Sequence, residues 1–180
     1  MTLLGAWGTI AGRVPLKIVG DGPLRDLVVE SANRMRNVQY LGALAHGEVV
    51  DLMKDAVAVV VPSLWYETFG LVVAEAFATG TPVVVSDHGA LAELVTNDVN
   101  GFTFRPGDEA HLAEKVLQLW RDPSGHPALR QASRRTYDER FTAERSYRDL
   151  VAVYKEAQYT ASWRRERSSN AAKAKRPTAK

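Results

Sequence analysis

VAVVVPSLWYETFGLVVAEAFATGTP, residues Val57 to Pro82, is the stretch that decides the fold. It opens on a β-branched apolar run that has the length of a buried strand and ends at a proline. A short loop with two aromatic residues and an acid follows. From Phe69 to Thr79 almost every residue is apolar, which predicts a buried helix that stops at Gly80. Strand, loop and helix in this order predict one unit of a parallel α/β sheet.

Two carboxylates lie at this junction, Glu67 in the loop and Glu75 inside the helix, with seven residues between them. Glu75 is almost the only polar residue of its helix, so we expect it to be buried. A buried acid is costly without a hydrogen-bond partner, and we expect Glu75 to have one. The junction of a parallel strand with the following helix is also where open α/β sheets bind ligands. The stretch therefore predicts a ligand site as well as a fold.

Strands and helices alternate along the rest of the chain. A helix is predicted over residues 1–11, and three helices follow Asp108, which is the predicted N-cap of the first of them. The further strands are predicted at Leu16–Val19, Val38–Leu41, Pro82–Val85 and Gly101–Phe104. This alternation predicts an α/β fold: a Rossmann-like, doubly wound parallel sheet with helices on both faces and extra C-terminal helices.

Composition limits the class of protein. The 180 residues fit one domain, predicted to span residues 1–163, and a hydrophobic content of 46% is ordinary for a globular protein. No run reaches the roughly 18 apolar residues that a membrane-spanning helix needs. The absence of cysteine excludes disulfides and thiolate sites and fits a reducing compartment, so we predict a cytoplasmic protein.

Charge is distributed unevenly along the chain. Residues 164–180 contain seven basic residues and one acid, a net +6, which leaves −4 on residues 1–163 out of a formal total of +2. The mildly acidic body argues against nucleic-acid binding. The Ser, Ala, Lys and Pro content of residues 164–180 predicts a disordered, solubilising tail. A weak, membrane-peripheral contact with anionic lipid headgroups is the alternative.

Several nucleotide-binding patterns are absent from the sequence. Gly20-x-Gly22 follows a strand but lacks the third glycine of the dinucleotide fingerprint, and Tyr40 stands where that fingerprint has an acid. No Walker sequence, D-x-D pair or cluster at metal-ligand spacing occurs, so we expect neither a cofactor nor a metal. For Gly22, a tight turn and a backbone edge open to a ligand remain alternatives.

The strand–helix junction suits a nucleotide-sugar. The N–H groups of Phe69, Gly70 and Leu71, with the helix dipole, could bind a phosphate, and Gly70 would leave room for its approach. Glu67 could accept hydrogen bonds from sugar hydroxyls. Glu75, whose Cβ tilts back toward the helix N-terminus, could accept them from a ribose. The alternative is structural, with Glu67 solvated in its loop and Glu75 bound to a buried lysine or a backbone group.

These residues also carry a family resemblance. The chain resembles family-four retaining glycosyltransferases of the GT-B fold in the run Val61-Pro62-Ser63-Leu64-x-x-Glu67-x-Phe69-Gly70-Leu71-Val72-x-x-Glu75-Ala76-x-Ala78-x-Gly80-x-Pro82-Val83-Val84. The flanks agree in order: Leu16 to Pro23 upstream, then Gly89-x-x-x-Glu93, Asn100-Gly101 and Pro106-Gly107-Asp108 downstream. The resemblance extends from about Leu3 to Leu119.

The resemblance implies a C-terminal, donor-binding domain of an enzyme that transfers a sugar from a nucleotide-diphosphate-sugar, with retention of anomeric configuration and without a metal. It implies that Glu67 is the catalytic residue at the donor sugar, that Glu75 contacts the ribose, and that the amides of Phe69, Gly70 and Leu71 bind the diphosphate. The other donor-site residues are Thr68, Gly20, Gly22, Tyr40 and Leu41, the last two beside the base.

The chain departs from that family in three places. Similar proteins have a strand and a loop with a phosphate-binding Arg and Lys before the helix that contains Leu3, and we expect that strand to be missing. Where the family has Gly-Gly before x-x-Glu, this chain has His88-Gly89-Ala90, which could alter how the donor sugar is held. For His88 itself we predict a solvated loop histidine, with a role in the site as the alternative. The N-terminal domain that binds the acceptor (a glycan, lipid or small molecule) is also expected to be missing. A truncated, inactive nucleotide-sugar-binding module is therefore the alternative function.

Overall fold

The computed structural model describes residues 2–10 and 12–174, with side chains described as far as residue 160. The elements, in chain order, are α1 (Thr2–Ile10), β1 (Leu16–Val19), α2 (Arg25–Arg34), β2 (Val38–Gly42), α3 (His46–Asp55), β3 (Val59–Val61), α4 (Leu71–Ala78), β4 (Val83–Ser86), α5 (Gly89–Leu94), β5 (Gly101–Phe104), α6 (Glu109–Arg121), α7 (His126–Arg140) and α8 (Ala143–Ala174). The predicted order of strands and helices is confirmed.

The described strands are all parallel to their neighbours, which confirms the predicted α/β class. They form two hydrogen-bonded ladders where the sequence predicted one sheet. One ladder pairs β1 with β2, and the other has the order β3-β4-β5. Ile18 of β1 and Val60 of β3 pack against the same core, so the two ladders share one hydrophobic interior.

Helices α1 and α6 cover this shared core. The indole Nε1–H of Trp7 donates a 3.0 Å hydrogen bond to the carbonyl oxygen of Val14, so the only polar group of a buried tryptophan is satisfied. The buried residues of the core are Leu4, Ala6, Trp7, Ile10, Val14, Leu16, Val38, Val84, Phe102, Phe104, Leu112, Ala113, Val116, Leu119 and Leu129. Because they come from both ladders, α1 packs across the break between them.

The opposite face of the sheet is also covered. Val83 and Val85 alternate with Val84 along β4 and therefore point away from the α1–α6 core. Helices α4 and α5 pack against β3 and β4, and they bury Phe77 and Leu91 completely. Helices on both faces of the parallel strands are what the sequence predicted.

Several element boundaries differ from those predicted, and two of these differences lie beside the candidate site. β3 begins at Val59 instead of Val57, and α4 begins at Leu71 instead of Phe69. The reason for the second difference is the backbone of Gly70, which has φ 78° and ψ 54° at the N-cap of α4. A residue in the left-handed region interrupts a right-handed helix, so the two residues before Leu71 belong to the loop.

Two arginine side chains of helix α7 cap the carboxyl ends of two other helices. The Arg130 guanidinium donates hydrogen bonds to the carbonyl oxygens of Lys54 (2.7 Å) and Ala56 (2.9 Å), where α3 ends. Arg134 does the same for Ala78, the last residue of α4, at 2.7 Å. Cationic side chains at these ends satisfy free carbonyl groups and complement the negative pole of the helix dipole.

The chain divides into a compact unit of residues 1–138 and a second unit of residues 139–180. The second unit contains α8, which continues to Ala174, whereas the sequence predicted a disordered tail from residue 164. Four alanines and three arginines lie between residues 161 and 174, and their helix propensity accounts for the difference. Residues 175–180, and the predicted lipid contact of the basic tail, lie outside what the structure describes. No helix in its described part is long and apolar enough to cross a membrane.

Candidate functional site

The loop between β3 and α4, residues 62–70 (the β3–α4 loop), carries Glu67. The carboxylate is partly buried, and its Oε1 accepts a 2.7 Å hydrogen bond from the hydroxyl of Ser63. Thr68 beside it is exposed. The bond to Ser63 holds one carboxylate oxygen inside the loop and leaves the other for a ligand.

The N-terminus of α4 presents the amide of Leu71, which the sequence predicted, and that of Val72, which it did not. The N–H of Val73 already donates to Gly70 at 2.9 Å. Among the residues that the structure describes, the N–H groups of Leu71 and Val72 have no hydrogen-bond partner. Free first-turn amides and the positive pole of the helix dipole, worth about half a charge, favour an anion here.

Gly70 has a different role from the one assigned to it. A Cβ at Gly70 would lie 2.7 Å from Leu91 Cδ2 and 3.5 Å from Leu94 Cδ1. The absent side chain therefore faces α5 and the protein interior, which corrects the expectation that it leaves room for a phosphate.

Glu75 lies in an open groove of about 420 Å³ between α3 and α4. It is only partly buried, so the expected burial is wrong. The buried face of α4 is instead formed by Val73, Ala74, Ala76 and Phe77. Among the described side chains, none forms a hydrogen bond or ion pair with the Glu75 carboxylate. The groove is lined by His46, Val50, Lys54, Glu75, Ala78 and Thr79.

The carboxyl ends of β1 and β2 lie side by side. The Tyr40 hydroxyl donates a 2.9 Å hydrogen bond to the carbonyl oxygen of Gly20, and the Gly20 N–H donates to Gly42 at 2.8 Å. A Cβ at Gly20 or Gly22 would meet nothing within 4 Å, so the backbone there is open. Leu41 is partly buried beside it.

The structure thus distributes the predicted site over three places: the β3–α4 loop with Glu67, the α3–α4 groove with Glu75, and the β1–β2 edge with Tyr40. Glu67 does not line the groove. His46 and Lys54, which the sequence analysis did not select, do. Their spacing with Val50 on α3 is i, i+4, i+8, which places all three on one helix face and was the signal available in the sequence.

The prediction of a solvated His88 is wrong. The imidazole is partly buried, its Nε2 lies 2.9 Å from the Trp65 carbonyl oxygen, and its ring contacts Tyr66 edge-on at 5.1 Å between centroids. A contact between residues 23 positions apart depends on how two loops pack, which no local pattern reveals.

Metal ligands were not expected from the sequence. In the described part of the chain, no three or more histidine, aspartate or glutamate side chains are grouped so as to hold a metal ion. Metal independence nevertheless stays a prediction.

Comparison with known proteins identifies the family. The family model described as "Glycosyl transferases group 1" matches residues 1–122. The chain belongs to this family. Glycogen synthase of Mycobacterium tuberculosis is 36% identical over 155 residues, which cover 84% of this chain and 36% of that protein. The chain therefore spans about a third of the length of this curated relative.

Solved structures agree with this family assignment. A glycosyltransferase from Rickettsia africae superimposes with a TM-score of 0.78 at 21% identity, covering 86% of this chain and 43% of that chain. At this identity the similarity shows only that the two chains share a fold. HepE from Anabaena, in complex with UDP, has a TM-score of 0.71 at 27% identity, covering 89% and 44%. HepE has also been solved with UDP-glucose. Our chain corresponds to the C-terminal domain of the GT-B glycosyltransferases.

Proposed function

We propose that this chain forms the donor-binding domain of a retaining glycosyltransferase, which transfers a sugar from a nucleotide-diphosphate-sugar to an acceptor. One observation carries the proposal. The Glu75 carboxylate faces an open groove without a partner among the described residues, one turn along a helix whose first amides, Leu71 and Val72, are also free. A nucleoside diphosphate offers ribose hydroxyls for the carboxylate and phosphates for the amides. HepE, which shares the fold, is a UDP complex.

In this proposal the parts of the donor are bound in order along α4. Leu71 and Val72 donate to the diphosphate, and the dipole of α4 stabilises the negative charge that develops on it as the sugar leaves. Because these amides are already oriented, they stabilise that charge without reorganisation. Glu75 accepts hydrogen bonds from the ribose hydroxyls. No step requires a metal ion.

The sugar and the base occupy the flanking regions. Glu67, with one oxygen held by Ser63, accepts hydrogen bonds from the hydroxyls of the donor sugar and faces the positive charge that develops at its anomeric carbon. The base lies near the β1–β2 edge, where the Tyr40 hydroxyl donates a hydrogen bond to the carbonyl oxygen of Gly20 and the backbone is open to a ligand. We assign acceptor recognition to no residue of this chain.

Replacement of Glu75 tests the proposal. In Glu75→Ala the ribose hydroxyls lose their charged acceptor, so we expect UDP to bind more weakly by about 1–3 kcal/mol. Isothermal titration calorimetry with UDP, ADP and GDP measures this loss and identifies the preferred base. Glu114→Ala, which removes an exposed carboxylate of α6 remote from the groove, is the matched control. Unchanged affinity for all three nucleotides in Glu75→Ala would exclude the ribose assignment.

A further inference from the structure

The turn that connects β4 to α5 reaches across to the β3–α4 loop. His88 is the N-cap residue of α5, and its Nε2 lies 2.9 Å from the carbonyl oxygen of Trp65. A carbonyl oxygen can only accept a hydrogen bond, so the imidazole must donate from Nε2. The hydrogen bond therefore determines the tautomer of a neutral His88 and connects its ring to the loop backbone.

A second contact lies beside the first. The Tyr66 ring meets the His88 ring edge-on, with 76° between their planes. The next residue, Gly89, is the first of α5; it has φ 56°, and a Cβ there would lie 2.9 Å from Tyr66 Cδ1. Tyr66 can pack this closely only because the neighbour is glycine. Two consecutive loop residues are thus held by two consecutive residues at the N-terminus of α5.

The loop has little buried apolar surface to fix it otherwise. Leu64, Trp65 and Tyr66 are 60%, 71% and 78% exposed. Burial therefore contributes little to the conformation of the loop centre, and the contacts with His88 and Gly89 connect it to the sheet. Glu67 follows Tyr66 directly, so any shift of residues 65 and 66 moves its carboxylate.

The surroundings of the other ring nitrogen of His88 are consistent with a role in holding the β3–α4 loop. Nδ1 is buried and has no hydrogen-bond partner among the described residues. With Nε2 as the donor, Nδ1 is an acceptor enclosed by the protein. Because both ring nitrogens are turned to the protein, His88 would act on a donor through the loop.

We propose that His88 is a positioning residue: through the Trp65 carbonyl and the Tyr66 ring, it holds the β3–α4 loop so that Glu67 faces the donor sugar. This inference rests on the proposed function. Glu75 lies in the α3–α4 groove, none of whose lining residues belongs to this loop. Loss of the His88 contacts should therefore weaken binding of the sugar and leave binding of the nucleotide unchanged.

The test compares UDP with UDP-glucose by calorimetry on the full chain. In His88→Leu the hydrogen bond to the loop is lost, and we expect UDP-glucose to bind about tenfold more weakly while UDP affinity stays within about twofold. His88→Gln retains an N–H donor on a side chain of similar reach and should recover most of the UDP-glucose affinity. Equal losses for UDP and UDP-glucose in His88→Leu, or no recovery in His88→Gln, would overturn the inference.

The chain offers a matched control in His126. Its Nε2 lies 2.8 Å from the Leu119 carbonyl oxygen, a contact of the same kind remote from the loop. His126→Leu should lower stability as His88→Leu does, but it should not weaken binding of UDP-glucose more than binding of UDP. If His126→Leu also weakens UDP-glucose binding selectively, the effect in His88→Leu comes from general destabilisation and the inference fails.

A measurement without ligand separates this inference from the proposed function. Chymotrypsin cleaves after aromatic residues, so cleavage after Trp65 and Tyr66 should be faster in His88→Leu than in the wild type, and His88→Gln should restore the wild-type rate. Unchanged cleavage in His88→Leu would show that His88 does not hold the loop, whatever the chain binds. If cleavage responds as expected but the wild type binds none of UDP, ADP and GDP, the donor assignment fails and the sugar-positioning role fails with it.

Discussion

Gly70 determines where α4 begins and therefore which amides it presents. Its backbone is left-handed, and the position of its absent Cβ is 2.7 Å from a methyl carbon of Leu91. Both facts require glycine. From the sequence alone, the same glycine also predicts space for a phosphate, because a glycine before an apolar helix is compatible with either role. Only the direction of the missing Cβ, which depends on the packing of α5, distinguishes a glycine required by packing from one that leaves space for a phosphate.

Gly70→Ala should destabilise the chain by about 2–4 kcal/mol, since alanine would adopt an unfavourable left-handed conformation and press on Leu91. Urea unfolding followed by circular dichroism measures the loss. Gly22→Ala serves as the control, because a Cβ at Gly22 meets nothing within 4 Å and its φ is not positive. Equal stability of the two variants would show that Gly70 is not constrained as described.

At the scale of elements, the sequence predicted the order and type of the segments well because each carries its own periodicity. Asp108 is an example. Predicted as an N-cap, it accepts a 2.8 Å hydrogen bond from the His111 N–H at the start of α6. Boundaries that depend on other segments were not predictable: α4 starts late because of Gly70, and β3 is short.

The N-cap of α6 leads to a pH dependence. Hydrogen bonds from the His111 N–H and the Arg105 side chain lower the pKa of Asp108 below its ordinary value of 3.8. A carboxyl whose pKa is lower in the folded state stabilises the fold above its unfolded pKa. That contribution disappears as the pH falls through the folded pKa. We therefore expect wild type to be more stable than Asp108→Asn at pH 7.

This difference should shrink as the pH falls below about 3.8, because the unfolded chain then binds a proton more readily than the folded chain, and it is lost once the pH is below the folded pKa. Asparagine is a sound choice because it caps helices nearly as well as aspartate, so the variant removes the charge and keeps the acceptor. Thermal unfolding of both proteins between pH 7 and pH 3 provides the comparison. A stability difference that does not change with pH would show that the Asp108 charge contributes nothing.

At the scale of the whole molecule, one helix joins two ladders. α1 packs against α6, and the buried cluster to which Trp7 belongs includes Leu16 of β1 and Phe104 of β5. The sequence predicted α1 from its apolar spacing, but its connecting role depends on the break between β1 and β3. That break is a property of strand pairing and leaves no local mark in the sequence.

Trp7→Ala should therefore destabilise the first unit as a whole, by about 3–5 kcal/mol, because it opens a cavity where the two ladders meet. Amide exchange should accelerate in both β1 and β4. Trp120→Ala, which truncates a partly exposed tryptophan of α6, is the control and should cost much less. Faster exchange confined to β1 would show that α1 stabilises one ladder only.

The same break has a consequence for how the protein behaves in solution. Within the described residues, β1 pairs only with β2, and β3 only with β4, so each has one free edge with unpaired backbone groups. β3 lies in the uncharged run Val57-Ala58-Val59-Val60-Val61, the composition that favours intermolecular strand pairing. Pairing of a further strand with either edge would protect it. Without such protection, these edges are where copies of the chain would begin to aggregate as concentration rises.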